Sequence, residues 1–234
     1  NQVGSPFQPD LRLRGFSVSP VVGLPQSISV FVDGVRVNEA DASQVHFNLL
    51  PMRDLERVEL VRGPAGSFGK NTLAGALNLV TRRGFGAGQV EAEVFGGDFN
   101  HFGGSLLAFG EVAGFDLYSR LSYRRMDGWR MKNYAQQLQA FIKVGRRGVR
   151  SDAWISYTLS SDSIEGPQAL PESWLEGGAL PVDVISPPTD RRELQPTGGN
   201  GEYIRPRLHF LNGYLERTLN SAFLTSLSGF ARLV

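Results

Sequence analysis

The sequence predicts a mostly β protein made of short, turn-bounded strands, and three observations support that class. Glycine occurs 28 times and proline 13 times in 234 residues that are 10% aromatic, a composition that favours turn-rich β structure over helix. Several stretches alternate apolar and polar residues at a period of two, as strands do. No run of about 18 apolar residues is present, so no transmembrane helix is expected. A β-barrel remains open, because its strands need only about ten residues with every second one facing lipid.

Charge and cysteine content set further bounds. A net charge of +1 gives no reason to expect nucleic acid as a partner. With no cysteine there is no disulfide framework, thiol nucleophile or cysteine metal site.

The first half reads as a set of hairpins. Ser27–Val32 and Val35–Val37 are apolar runs joined by Asp33-Gly34, a hairpin signal. Leu55–Val61 alternates Leu55, Arg57, Glu59 and Val61 with Glu56, Val58 and Leu60, which suits a strand with one polar face. Arg62-Gly63-Pro64 must then break it, since proline cannot donate to a ladder and glycine tolerates positive φ. Gly75 precedes a second strand, Ala76–Thr81. The Gly69-Lys70 pair superficially suggests a phosphate loop, but Pro64 and Asn71 occupy positions that such a loop gives to Gly and to Ser or Thr.

After Arg83 the alternation becomes regular. Val90, Ala92 and Val94 oppose Gln89, Glu91 and Glu93; Phe115, Leu117, Ser119, Leu121 and Tyr123 oppose Asp116, Tyr118, Arg120, Ser122 and Arg124. Leu138, Ala140, Ile142 and Val144 oppose Gln137, Gln139, Phe141 and Lys143, while Ala153, Ile155, Tyr157 and Leu159 oppose Asp152, Trp154, Ser156, Thr158 and Ser160. With less regular segments near 102–110, 205–216 and 222–233, about seven strands are expected, apolar outward and polar inward. Connections at 97–101, 127–134 and 162–204 fall at one end, and 111–114, 146–150 and 217–221 at the other. That parity matches the long outer loops and short inner turns of outer-membrane barrels. Phe95, Phe99, Phe102, Trp129, Tyr134 and Trp154 lie near strand ends and suit interfacial girdles.

Three motifs in order carry a family resemblance: Leu13-Arg14-Gly15-Phe16, Ser27–Val37 with its Asp-Gly turn, and Asn48–Arg83. Together they resemble the plug domain of TonB-dependent outer-membrane receptors. The resemblance implies a plug of mixed β-sheet with short helices over residues 1–84. It is followed over 85–234 by the first seven or so antiparallel strands of a transmembrane β-barrel, which has about 22 strands when complete. Only about 150 residues follow Arg83, so the chain is expected to be part of a larger receptor, with a signal peptide and TonB-binding box outside it. Seven strands alone could not close around a plug.

The resemblance also implies function: TonB-dependent uptake of a scarce nutrient across the bacterial outer membrane, with a ferric siderophore as the leading ligand class. The implied partners are a TonB-type energy-transducing protein, a small-molecule ligand such as a ferric chelate, and outer-membrane lipid. No enzyme activity, cofactor or catalytic residue is implied. Arg14 and Arg62 correspond to arginines that lock the plug to barrel carboxylates, a role suited to a planar, permanently charged guanidinium. The alternative for Arg62 is a local surface pair with Glu56 or Glu59. Ligand-facing plug loops correspond to Gly4–Pro9, Pro20–Pro25 and Asn38–Val45, with Phe7, Asn38, Glu39 and Asp41 as candidates. His46, His101 and His209 lack metal-type spacing, so no metal site is assigned. Two other classes stay open: a passive outer-membrane channel or surface receptor of the same architecture, and a soluble β-rich binding module.

Overall fold

The computed structural model describes residues 7–9, 11–13, 15–18, 27–40, 44–64, 66–70, 72–128, 133–166, 202–220 and 223–234. Two short strands, β1 (Leu11–Leu13) and β2 (Phe16–Val18), form a hairpin around Gly15, whose φ is +82°. A four-stranded mixed sheet follows, in the order β4 (Val35–Arg36), β3 (Ile28–Val32), β6 (Gly75–Thr81), β5 (Leu55–Arg62). Its β3 and β6 run parallel, while β3 with β4 and β5 with β6 are antiparallel. The Asp33-Gly34 turn takes positive φ at both residues, 48° and 83°, as a tight hairpin with right-handed twist requires. The expected short helices are single 3₁₀ turns at Phe47–Leu49, Met52–Asp54 and Gly66–Phe68.

Seven long antiparallel strands make the second sheet: β7 (Gln89–Gly97), β8 (His101–Val112), β9 (Phe115–Met126), β10 (Ala135–Arg147), β11 (Ser151–Gly166), β13 (Arg207–Asn220) and β14 (Phe223–Leu233). They pair in chain order, and a short β12 (Glu202–Ile204), which alternation did not reveal, pairs with the end of β11. The expected strands are all present and several are longer. The turns 113–114 and 148–150 lie at one end; the turn 98–100, the end of β9 at Met126 and the start of β10 at Ala135 lie at the other.

The two faces of this curved wall are sorted as alternation predicts. On β10, Gln137, Gln139, Phe141 and Lys143 are buried on the inner face, while Leu138 and Ile142 are each 41% exposed on the outer face. The main core joins both parts, with Leu208 and Phe210 of β13 packed among Val18, Ile28, Val30, Leu49 and Leu79 of the plug. Two aromatic expectations fail. Phe95 and Trp154 occupy inward registers, beside Glu93 and Ser156, and Trp154 stacks on Tyr214 with centroids 5.8 Å apart. Their period-two position decided their direction, and proximity to a strand end did not. Phe99 and Phe102 are exposed, at 56% and 41%; Trp129 lies outside the described residues.

Candidate functional site

The chemistry-bearing side chains concentrate where the plug meets the inner face of the wall, in three groups. The first surrounds the plug hairpin turn. The left-handed Asp33 directs its carboxylate back across the sheet, where Oδ1 accepts from the Thr81 N–H (2.9 Å) and Oδ2 from the Thr81 hydroxyl (2.6 Å). Lys143 of β10 donates from Nζ to Asp33 Oδ2 (3.0 Å) and to Thr81 Oγ1 (2.8 Å), and lies 4.0 Å from the Trp154 ring centroid. The Lys143 and Asp33 side chains are 3% and 4% exposed, so the ion pair is enclosed.

The second group sits where the chain leaves the plug. Arg83 donates from Nε to Asp116 Oδ1 of β9 (2.6 Å) and from Nη1 to Asp152 Oδ1 of β11 (3.0 Å). Gly145 of β10 lies between those two strands, and a Cβ there would meet the Arg83 guanidinium at 2.2 Å. The missing side chain is the space the arginine occupies. A cavity of about 530 Å³ adjoins both groups, lined in part by Asp33, Glu56, Arg83, Lys143 and Asp152.

The third group clamps the two consecutive 3₁₀ turns of residues 47–54. Asn48 donates to Asp162 of β11 (2.6 Å), and Gln139 of β10 donates to the Leu50 carbonyl (2.9 Å). Asp54 Oδ1 accepts from Arg120 Nε (2.6 Å) and Tyr118 Oη (2.9 Å) of β9. Burial pushes the Asp54 carboxyl above its ordinary pKa, outweighing the opposing hydrogen bonds from Arg120 and Tyr118. At the edges of the wall, Arg53 pairs with Glu93 of β7 and Arg232 of β14 with Glu39.

Of the residues expected from sequence, Glu39 takes part in the plug–wall contacts through its pair with Arg232, and the other described ones stand apart from the three groups. Arg62 ends β5 as an exposed residue with no ion pair among the described residues; Arg57, and not Arg62, pairs with Glu59 (2.8 Å) and Glu56 (3.7 Å). Hydrogen bonds from Asn78 and Arg57 hold the Glu59 carboxyl below its usual pKa. Arg14 and Asp41 lie outside the described residues. Phe7 is 4% exposed, packed with Ala135 and Ile164 and capped by Arg124 at 4.1 Å from its ring centroid. The Asn38 amide serves its own sheet, accepting from the Val30 N–H (2.7 Å) and donating to the Ile28 carbonyl (3.1 Å). Asp33, Asn48, Asp54 and Arg83 were missed. The available signal was the inward register of Asp116, Arg120, Lys143 and Asp152, four charged residues on a face that had to meet something polar.

A mixed sheet held inside a strand wall by buried polar pairs is the arrangement to compare with known proteins. Residues 1–76 match the TonB-dependent Receptor Plug Domain family model. The pyoverdine outer membrane receptor FpvA of Pseudomonas aeruginosa PAO1 superposes with a TM-score of 0.73 over 99% of this chain and 33% of its own, at 13% identity. Residues 1–76 are thus a TonB-dependent receptor plug domain, and the chain as a whole has the fold of the corresponding part of such a receptor. Among curated relatives of this chain, a vitamin B12 transporter BtuB of Vibrio vulnificus is 39% identical over 83 residues, which are 30% of this chain and 14% of that protein. A rhizobactin receptor of Rhizobium meliloti is 35% identical over 77 residues, 32% of this chain and 10% of its own. The chain thus spans a small part of the length of the relatives it matches.

Proposed function

We propose that this chain is the gate and first wall segment of a receptor that takes up a scarce nutrient across the outer membrane, powered through a TonB-type partner, with a ferric siderophore as ligand. The observation that carries the reading is the plug–wall interface. Apart from the apolar contacts of Leu208 and Phe210 and of Phe7, its attachments are hydrogen bonds and ion pairs between inward-facing side chains, contacts that can be exchanged for water one at a time when the plug is pulled. An apolar joint of the same area would resist separation until all of it was exposed. The plug is assigned residues 1–84 and the wall 85–234, with the seam in the segment between β6 and β7.

In this reading Arg14 and Arg62 lock the plug to carboxylates on strands that complete the barrel. The exposure of Arg62 supports that assignment, since its guanidinium is available to such a partner. The ligand is met by the plug loops that carry Phe7, Asn38, Glu39 and Asp41. Relatives named for vitamin B12 and for rhizobactin support both cobalamin and siderophore ligands; the sparsely aromatic loops argue against a catecholate. A deletion strain complemented with the complete gene should regain growth on one of several defined ferric chelates under iron limitation. Growth regained on cobalamin alone would move the ligand assignment, and growth unchanged on every source would overturn the uptake reading.

A further inference from the structure

The outer face of the wall carries an unbalanced charge at one end. Outward registers at the short-turn end are Val90 on β7, Val112 on β8, Phe115 and Leu117 on β9, Val144 and Arg146 on β10, Ser151 and Ala153 on β11, and Leu215, Arg217 and Leu219 on β13. Among the described residues every charged side chain in that set is an arginine. Arg150 joins them from the turn between β10 and β11, its carbonyl accepting from the Thr218 N–H (2.9 Å). None of Arg146, Arg150 and Arg217 has a carboxylate within ion-pair distance among the described residues, whereas the neighbouring Arg147 faces inward and pairs with Asp152. The opposite end mixes signs, with Asp98, Asp127 and Glu165 beside Arg125, Arg205 and Arg207.

The three arginines lie close enough to act on one surface. Arg146 stands opposite Ala153, and Arg217 opposite Ser151 on the other side of β11, so two strand spacings across and two residues along separate their backbones by about 12 Å. Apolar residues surround them: Val149 at the turn tip is fully exposed, Leu219 is 54% exposed, and the Arg146 guanidinium lies 5.5 Å from the ring centroid of Phe115, itself 46% exposed. The strands above them present Leu117, Ile142, Ile155 and Leu215 to the lipid side. An arginine at the foot of an apolar strand lays its stem on the hydrocarbon and its guanidinium among headgroups, where it can hold a phosphate through two parallel hydrogen bonds.

We propose that Arg146, Arg150 and Arg217 form a seat for anionic phospholipid headgroups at the short-turn rim of the wall, anchored by Phe115 and Val149. The phosphodiester of a glycerophospholipid is the ligand, and a second acidic group on the lipid adds to the attraction. Each cation near an anionic lipid surface contributes about fivefold to association at low salt.

The test uses the complete receptor in a neutral detergent, titrated with phosphatidylglycerol or phosphatidylcholine and read by native mass spectrometry. Wild type should bind phosphatidylglycerol at least tenfold more tightly, with the preference shrinking as salt rises. The R146Q/R150Q/R217Q variant should reduce the preference below about threefold, and R125Q at the opposite rim should leave it unchanged. Equal binding of the two lipids by wild type, or a preference that survives the triple substitution, would overturn the proposal. Displacement of the lipid by equimolar inorganic phosphate would overturn it too, since it would mark a free-anion site. If the triple variant does not fold, the salt dependence of wild type decides: a preference that does not change with salt is incompatible with an arginine seat.

Discussion

Replacing Lys143 with Met should loosen the plug from the wall by about 3 kcal/mol. The ion pair it removes is enclosed, with Lys143 3% and Asp33 4% exposed, so Asp33 would keep a buried charge without its cation. Removing one partner of such a pair costs about 3–5 kcal/mol. The low end applies because Asp33 retains the Thr81 N–H at 2.9 Å and the Thr81 hydroxyl at 2.6 Å. Methionine is close to the stem of lysine in volume, so little of the loss should come from a cavity. Hydrogen exchange of the β3 and β6 amides in the complete receptor measures the effect, and 3 kcal/mol corresponds to roughly hundredfold faster exchange. Asp33→Asn and the D33N/K143M double variant close the cycle, with a coupling of about 1–3 kcal/mol expected between the two sites. Exchange accelerated less than about threefold in K143M, or additive effects in the double variant, would refute the idea that this pair holds the plug.

Gly145→Ala should displace Arg83 from between Asp116 and Asp152, because the added Cβ would fall 2.2 Å from the guanidinium. The thermal midpoint of the complete receptor should drop measurably, while Gly229→Ala, with open space at its Cβ, should be neutral within about 0.5 kcal/mol. The raised pKa of Asp54 fixes the sign of a pH effect: the folded state holds this proton more tightly than the unfolded chain does. Its contribution to stability is therefore fully present below the unfolded value of about 3.9 and is lost as pH rises through the raised folded value. Asp54→Asn should flatten that segment of a denaturant-midpoint profile, and a profile parallel to wild type would refute the assignment. Arg62→Ala in the complete receptor should ease plug release by forced unfolding, whereas Arg57→Ala, which removes only exposed pairs with Glu56 and Glu59, should change it by less than about 1 kcal/mol.

Much of the architecture was legible because it is local. The Asp33-Gly34 turn, the break at Arg62-Gly63-Pro64 and the period-two alternation of β9, β10 and β11 each depend on neighbouring residues, and each appears in the structure where the sequence placed it. Alternation also separated the lipid face from the lumen face, since a strand has only two sides. It could not say what the lumen face touches. Asp116, Lys143 and Asp152 were visibly inward, but their partners Arg83 and Asp33 are 33 to 110 residues away in the chain.

The sequence by itself determined the strand pattern, the sidedness of the wall and the family resemblance, because these follow from residue spacing along a single strand or turn. Only the tertiary structure decided which groups hold the plug. That choice depends on register between two sheets and on enclosure: Gly145 matters because Arg83 fills its space, and Asp33 because Lys143 crosses the seam to reach it. Neither contact has a sequence signature, since an ion pair across a lumen requires only that two opposite charges meet out of water, at any separation along the chain.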